Sequence, residues 1–259
     1  MRLLLRVRPL KNYVQNEQTT ARYHVGMRGW IYSKMKDTNY NWVHDAKAFK
    51  PFSFSSVMGV KDALLEKGKE YTILISSPLP DLIEFLRLNS PEGELMNIGE
   101  YQFKIMAVKK IEESLRRFDI IRSATLISVT KRVENKYVTI NFLKNKEEFL
   151  NLLAINLIRK YNSGTDSEIS EDYGLFERCL IEPLRNKLIS VKINANDKQF
   201  TVMGNSLLFK LGNLSRTQLN IFNYCFDMGF GVKNSYGFGF MIKNKINKLE
   251  YLDDFNSLI

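Results

Sequence analysis

Cysteine is nearly absent: the 259 residues contain only Cys179 and Cys225. That excludes a disulfide framework and points to a reducing compartment. Histidine is as scarce, with His24 and His44 only, and no close His/Cys pair offers zinc-ligand spacing. No apolar run approaches the ~18 residues needed to span a bilayer. Arg2, Arg6 and Arg8 break up the N-terminal apolar residues, against a secretory leader. A cytoplasmic protein without a membrane partner is the expectation. Acid is also short, with 28 Asp and Glu against 38 Lys and Arg, a formal charge of +10. The imbalance is concentrated in residues 1–60, where ten basic residues face three acids. Such a surface attracts polyanions, although solubility alone is the plainer reading. The rest of the composition, 44% hydrophobic and 25% charged, is that of a globular chain. Its length suits about two domains of roughly 100–200 residues.

Local periodicity supplies the elements. Leu3, Leu5 and Val7 alternate with arginines, so residues 2–9 predict a strand with one apolar face and one guanidinium face. His24, Met27, Ile31 and Met35 recur at helical spacing over residues 21–36, with Thr19 or Thr20 as the cap. Arg28, Tyr32 and Lys36 lie on the neighbouring stripe, while Gly26 and Gly29 weaken the helix. Residues 49–55 alternate at period two, with Pro51 marking an edge strand and Lys50 on the face of Phe52 and Phe54. A strand at 71–76, a helix at 81–88 and a strand at 101–108 follow. Beyond them the pattern predicts strands at 121–129 and 137–142 and helices at 146–160 and 173–184. Strands at 188–193 and 199–203 turn through Asn194–Asp197, followed by a strand at 206–211 and a helix at 215–226 capped by Ser215. The fold class is α+β: two tandem ferredoxin-like (RRM-like) domains with antiparallel sheets, at residues 1–117 and 118–259.

Residues 229–239, Gly-Phe-Gly-Val-Lys-Asn-Ser-Tyr-Gly-Phe-Gly, hold four of the fourteen glycines. Backbone without Cβ can approach a ligand closely and turn its amides to phosphate. Lys233 would add a cation, and Phe230, Tyr236 and Phe238 rings that stack on bases. A purely structural hairpin is the other reading. The segment lacks the Gly-Lys-Ser/Thr of a P-loop and has Asn234 where a dinucleotide fingerprint needs glycine. A nucleotide cofactor is therefore not expected. Nor is a metal: the acidic tract of Asp166, Glu168, Glu171 and Asp172 reads as a solvated loop.

The basic first strand, the pair His44-Asp45 followed by Phe49-Lys50-Pro51-Phe52-Ser53-Phe54-Ser55, and the glycine-dense segment together resemble one family. It is the CRISPR-associated repeat-processing endoribonucleases of the repeat-associated mysterious protein superfamily. The matching segments, residues 1–58 and 215–242, are about a third of the chain. The resemblance implies cleavage of a CRISPR repeat transcript (pre-crRNA), without a metal, by attack of a ribose 2′-hydroxyl. Products would carry a 2′,3′-cyclic phosphate and a 5′-hydroxyl. The family's helix tyrosine, the histidine of the following loop and a later lysine correspond to Tyr32, His44 and Lys50. Expected RNA contacts are Arg2, Arg6, Arg8 and Arg28, with Gly229, Gly231, Lys233, Tyr236, Gly237 and Gly239 of the loop. By resemblance and charge, one groove between the domains would join the first-strand arginines to the Lys233 loop. CRISPR repeat RNA is the implied partner; CRISPR effector complex subunits and a homodimer are left open. A noncatalytic RNA-binding subunit of an effector complex, or an unrelated basic housekeeping protein, are the rival readings.

The chemistry needs a group to take the 2′-hydroxyl proton, one to protonate the leaving oxygen, and positive charge beside the phosphorane. An imidazole can make either transfer near neutrality. His44 is claimed by no apolar periodicity, whereas His24 falls on the buried stripe and reads as structural. Tyr32 either yields its proton beside Arg28 and Lys36 or orients the 2′-hydroxyl by hydrogen bonding. Lys50 suits the phosphorane charge.

Overall fold

The computed structural model describes residues 1–45, 49–195 and 198–244. The first half runs β1 (Arg2–Pro9), β2 (Tyr13–Val14), α1 (Glu17–Met35), α2 (Trp42–Asp45), β3 (Ser53–Phe54), β4 (Leu64–Leu65), β5 (Tyr71–Ser76), α3 (Pro80–Leu88), β6 (Leu95–Ile98) and β7 (Tyr101–Ile111). Its antiparallel sheet has the order β3-β5-β1-β7-β6. Without the small β2–β4 pair and the added β6, this is the ferredoxin-like arrangement, in which the first strand sits between the third and the last.

The second half repeats the plan with β8 (Ile120–Ser123), β9 (Thr130–Val133), β10 (Lys136–Thr139), α4 (Lys146–Thr165), β11 (Cys179–Pro183), β12 (Ile189–Ala195), β13 (Lys198–Gly204), β14 (Leu207–Leu211), α5 (Arg216–Met228) and β15 (Met241–Lys243). The sheet order is β11-β14-β8-β15, and the hairpins β9–β10 and β12–β13 are insertions into the same framework. The chain is thus an α+β fold of tandem ferredoxin-like units. Among the described residues no helix is long and apolar enough to cross a membrane.

Several elements differ from the sequence expectation. The helix expected at 173–184 is instead a turn followed by β11, whose backbone groups pair with β14 from Cys179 opposite Leu211 to Pro183 opposite Leu207. β11 is an edge strand, which lets Pro183 sit in it without a ladder donor. The strand expected at 121–129 ends at Ser123, beyond which Ile127 and Ser128 make only isolated bridges to Asn205 and Val232, and the one at 137–142 ends at Thr139. β6 was not expected; it exists by pairing with β7. In residues 49–55 only Ser53 and Phe54 join the sheet, at its edge, and Lys50 lies outside the strand. The turn residues Asn196 and Asp197 lie outside the described residues, as do Lys47 and residues 245–259.

Helix α1 begins earlier than expected because Asn16 caps it. The Thr19 amide donates to Asn16 Oδ1 at 3.0 Å and the Asn16 amide to Thr19 Oγ1 at 2.8 Å. Its apolar stripe is buried as predicted, with Met27 and Ile31 fully inaccessible. Gly26 costs this helix about 1 kcal/mol relative to alanine. A Cβ there would strike the backbone of Ile98 and Gly99, so the glycine is what lets α1 lie directly on the β6–β7 turn.

Two cores, one per half, meet at a mixed interface. The β12–β13 hairpin reaches across onto α1, forming an apolar cluster of Ile193, Val202 and Phe238 with Val25 against it. On the polar side, Arg2 is 1% exposed. Its Nη2 donates to the Phe226 carbonyl at 3.0 Å, and its Nε lies 3.4 Å from Asp227 Oδ1. The guanidinium stacks 3.7 Å from the Phe226 ring centroid. Burial lowers the Arg2 pKa, and Asp227 and Glu113 act in the opposite direction. Asp227 also accepts from the Met1 ammonium, so removing Arg2 leaves that carboxylate one partner and strands the Phe226 carbonyl. Arg2→Met should therefore lower unfolding stability by about 3 kcal/mol in urea titrations. A change near zero would mean that the Met1 ammonium and water serve Asp227 as well as Arg2 does.

Candidate active site

Three of the predicted residues come together at the end of α1. Tyr32 sits on its last turns, and the chain then folds back through Thr38–Asn41 into α2, which Val43 anchors in the core while leaving His44 outside. The His44 imidazole stands edge-on to the Tyr32 ring, centroids 4.9 Å apart at 79°. Tyr32 is backed by Phe52, 5.6 Å away. His44 Nδ1 donates to Asp45 Oδ1 at 2.8 Å, since a carboxylate accepts only, which leaves Nε2 free to exchange a proton. Lys50 Nζ donates to the His44 carbonyl at 2.6 Å. Burial and the nearby Arg28 lower the Lys50 pKa, against the pull of Asp45. The Tyr32 hydroxyl is shielded and has no hydrogen-bond partner among the described residues.

Arg28, one turn before Tyr32, links this cluster to the second half. Its guanidinium carbon lies 5.1 Å from the Tyr32 ring centroid and 4.2 Å from that of Tyr236. Arg28, Phe49 and Lys50 on one side and residues 231–236 on the other enclose a cleft of about 280 Å³. Lys233 is exposed at its rim, 5.3 Å from the Phe200 ring centroid. This is a cationic recess with an imidazole and a phenol at its margin. It can accept a phosphodiester.

The rest of the expected RNA contacts divide. Phe230 and Phe238 are buried and so offer no stacking face: Phe230 packs in the second core, and Phe238 lies on the His24 ring, centroids 4.9 Å apart. Gly229, Gly237 and Gly239 are buried as well, so their lack of side chains serves packing, while Gly231, though largely covered, lines the cleft. Gly237 is the clearest case. It has φ +76°, and a Cβ there would enter the Phe54 ring of the first half. Arg2 is held inside the interface, and Arg6 and Arg8 both pair with Glu70, at 3.5 and 2.9 Å. Strand alternation explains the correction to the single expected groove: the arginines of β1 point away from the face that carries α1. Arg2 borders a different cavity, about 690 Å³, with Leu4, Thr72, Arg122 and Lys243, and Arg6 and Arg8 pair with its Glu70. Among the described residues, Arg28 and Lys50 are the first-half cations that line the cleft with the Lys233 loop.

His24 has the structural place that its periodicity suggested. Its Nδ1 donates to the Tyr236 carbonyl at 2.7 Å, and burial pushes its pKa down to about 4. Sequence periodicity gave no sign that Lys160, on α4, reaches beneath the glycine segment. Among the described residues no three His, Cys, Asp or Glu side chains gather as metal ligands.

Paired ferredoxin-like units with a glycine-dense segment seated between them define the class: a tandem ferredoxin-like protein with a cationic cleft at the junction. The family model "CRISPR associated protein Cas6, C-terminal" matches residues 106–242. The chain belongs to the Cas6 family of CRISPR-associated proteins. A curated relative, "CRISPR-associated endoribonuclease Cas6 2" of Methanocaldococcus jannaschii, is 27% identical over 223 residues, covering 83% of this chain and 89% of that protein. Among solved structures, a "CRISPR associated protein Cas6" superposes with a TM-score of 0.68 at 22% identity, covering 95% of this chain and 99% of the other. The structure titled "Characterization of a Cas6-related gene from Pyrococcus furiosus" has a TM-score of 0.70 at 17% identity, with 95% and 99% covered.

The buried His24 makes the junction acid-sensitive. The folded state binds its proton only near pH 4, whereas the unfolded chain does so near 6.5. Stability from this group is complete above 6.5 and falls as the pH drops towards 4, by about 3 kcal/mol in all. His24→Phe should flatten this part of the pH–stability curve relative to wild type in denaturant titrations. Parallel curves for the two proteins would show that the imidazole is not kept neutral by the fold.

Proposed function

We propose that this protein is an endoribonuclease that cuts CRISPR repeat transcripts without a metal ion, using the ribose 2′-hydroxyl as nucleophile. The observation that carries the reading is the gathering of Tyr32, His44 and Lys50 beside the cleft that Arg28 and Lys233 line. The name of the Methanocaldococcus jannaschii relative supports the same activity class. Each sheet with its helices is taken as one domain, residues 1–117 and 118–259.

In this reading the phosphodiester lies across the cleft with its charge towards Arg28, Lys50 and Lys233. His44 Nε2 takes the proton from the 2′-hydroxyl while Asp45 holds the other ring nitrogen and favours the imidazolium that forms. The 2′-oxygen attacks phosphorus and the bond to the 5′-oxygen breaks. Lys50, whose pKa is already lowered, offsets the phosphorane charge and gives the leaving oxygen its proton. The products are a 2′,3′-cyclic phosphate and a 5′-hydroxyl. The shielded Tyr32 hydroxyl, unpaired among the described residues, gains a partner once the side chain turns outward to orient the ribose.

Single-turnover cleavage of the host's repeat RNA tests this. His44→Ala should slow cutting by about 10²–10⁴-fold. Its affinity for RNA should stay close to that of wild type, and excess EDTA should leave the wild-type rate unchanged. Abolition of a robust activity by chelator alone would refute the mechanism. Uncut RNA with tight wild-type binding would favour the noncatalytic subunit.

A further inference from the structure

Lys160 lies on α4 in the second core with no exposed surface. Its Nζ donates to the Gly229 carbonyl at 2.7 Å, the Gly231 carbonyl at 2.5 Å and Asn234 Oδ1 at 2.6 Å. Asn234 in turn donates through Nδ2 to the Phe230 carbonyl at 3.2 Å and the Phe238 carbonyl at 2.8 Å. One cation therefore ties both limbs of the glycine-dense segment. Among the described residues it has no carboxylate partner. The titratable group facing it is Cys225 of α5, and the Phe49 ring centroid lies 5.7 Å from Nζ. Arg28, Lys50 and Lys233 stand around the cleft on the other side of the loop.

Resting on the RNA-cleaving function proposed above, we propose that Lys160 is a positioning residue: its ammonium holds the loop from beneath in the form that presents Lys233 and Tyr236 to RNA. The proton count favours the ammonium. Three N–H bonds meet three acceptors, whereas a neutral amine has two and would turn a lone pair towards an oxygen. Burial lowers the Lys160 pKa to about 7, and the neighbouring Cys225 pulls the other way. Among the described residues this charge has no counter-ion, and Gly231 and Asn234, which it holds, also line the cleft. A phosphate bound there supplies the missing negative charge, so RNA binding and Lys160 protonation reinforce one another.

The pH dependence separates this role from a merely structural one. As pH rises above about 7 the ammonium is lost, and RNA affinity falls with it. Folding responds oppositely. The unfolded lysine titrates near 10.5 and binds more protons in that interval, so Lys160's own contribution to stability rises with pH.

The test measures binding of repeat RNA carrying a 2′-deoxy group at the scissile position. At about pH 6.5 the wild type should bind roughly tenfold more tightly than Lys160→Met, and by about pH 9 the two should differ by no more than about twofold. Equal affinities at the lower pH, or a ratio that stays constant, would overturn the proposal. If circular dichroism shows that Lys160→Met does not fold, the same pH series on Lys50→Met, which removes the cleft lysine whose pKa is also lowered, decides: a fall in affinity that persists there supports the role, and a flat series overturns it. Wild-type cleavage of unmodified RNA, run alongside, reports on the nuclease reading independently of the ratio.

Discussion

The passage of residues 229–239 between the two halves is the constraint on which the rest of the molecule depends. The segment belongs to the second unit but is seated against Phe54, His24 and Arg28 of the first. Where Gly237 meets the Phe54 ring there is no room for a Cβ. Close packing of this kind transmits position, because a packed core does not deform smoothly. The cleft beside Lys50 is consequently a product of the interface, and any change in how the halves meet alters it.

Charge is used in more than one way. The formal excess of +10 suggests a surface given over to nucleic acid, but part of it is structural. Arg2 is buried with Asp227, Lys160 is buried under the loop, and Arg6 and Arg8 share Glu70. Arg28, Lys50 and Lys233 are left at the cleft. Buried cations hold backbone carbonyls in place, and the cations at the cleft are thereby pointed at one volume. Net charge predicted an anionic partner without distinguishing these two populations.

The histidines illustrate the same division. His24 and His44 lie on successive helices of one unit, yet their environments differ. His24 is enclosed, stacked on Phe238, and kept neutral by burial. His44 is exposed, oriented by Asp45 and in contact with Tyr32. Desolvation makes the first a poor proton carrier at neutral pH, while solvent access leaves the second free to exchange protons.

Much was legible from local pattern. Alternation marked β1, helical spacing marked the buried stripe of α1, and Ser215 marked the start of α5, where the structure completes a capping box with Gln218. These are determined by neighbours a few residues away, which the sequence displays directly. The identity of His44 as the exposed histidine was legible for the same reason: no apolar period claimed it. β6 and β11 were not, because each becomes a strand by pairing with a partner, β7 or β14, that the local pattern did not assign to it. Tertiary structure alone decided that Arg2 points into an interface, that Lys160 reaches beneath a loop 69 residues away, and that the glycines serve close packing. Burial and long-range pairing are properties of the assembled chain, and a one-dimensional period carries no record of which faces will meet.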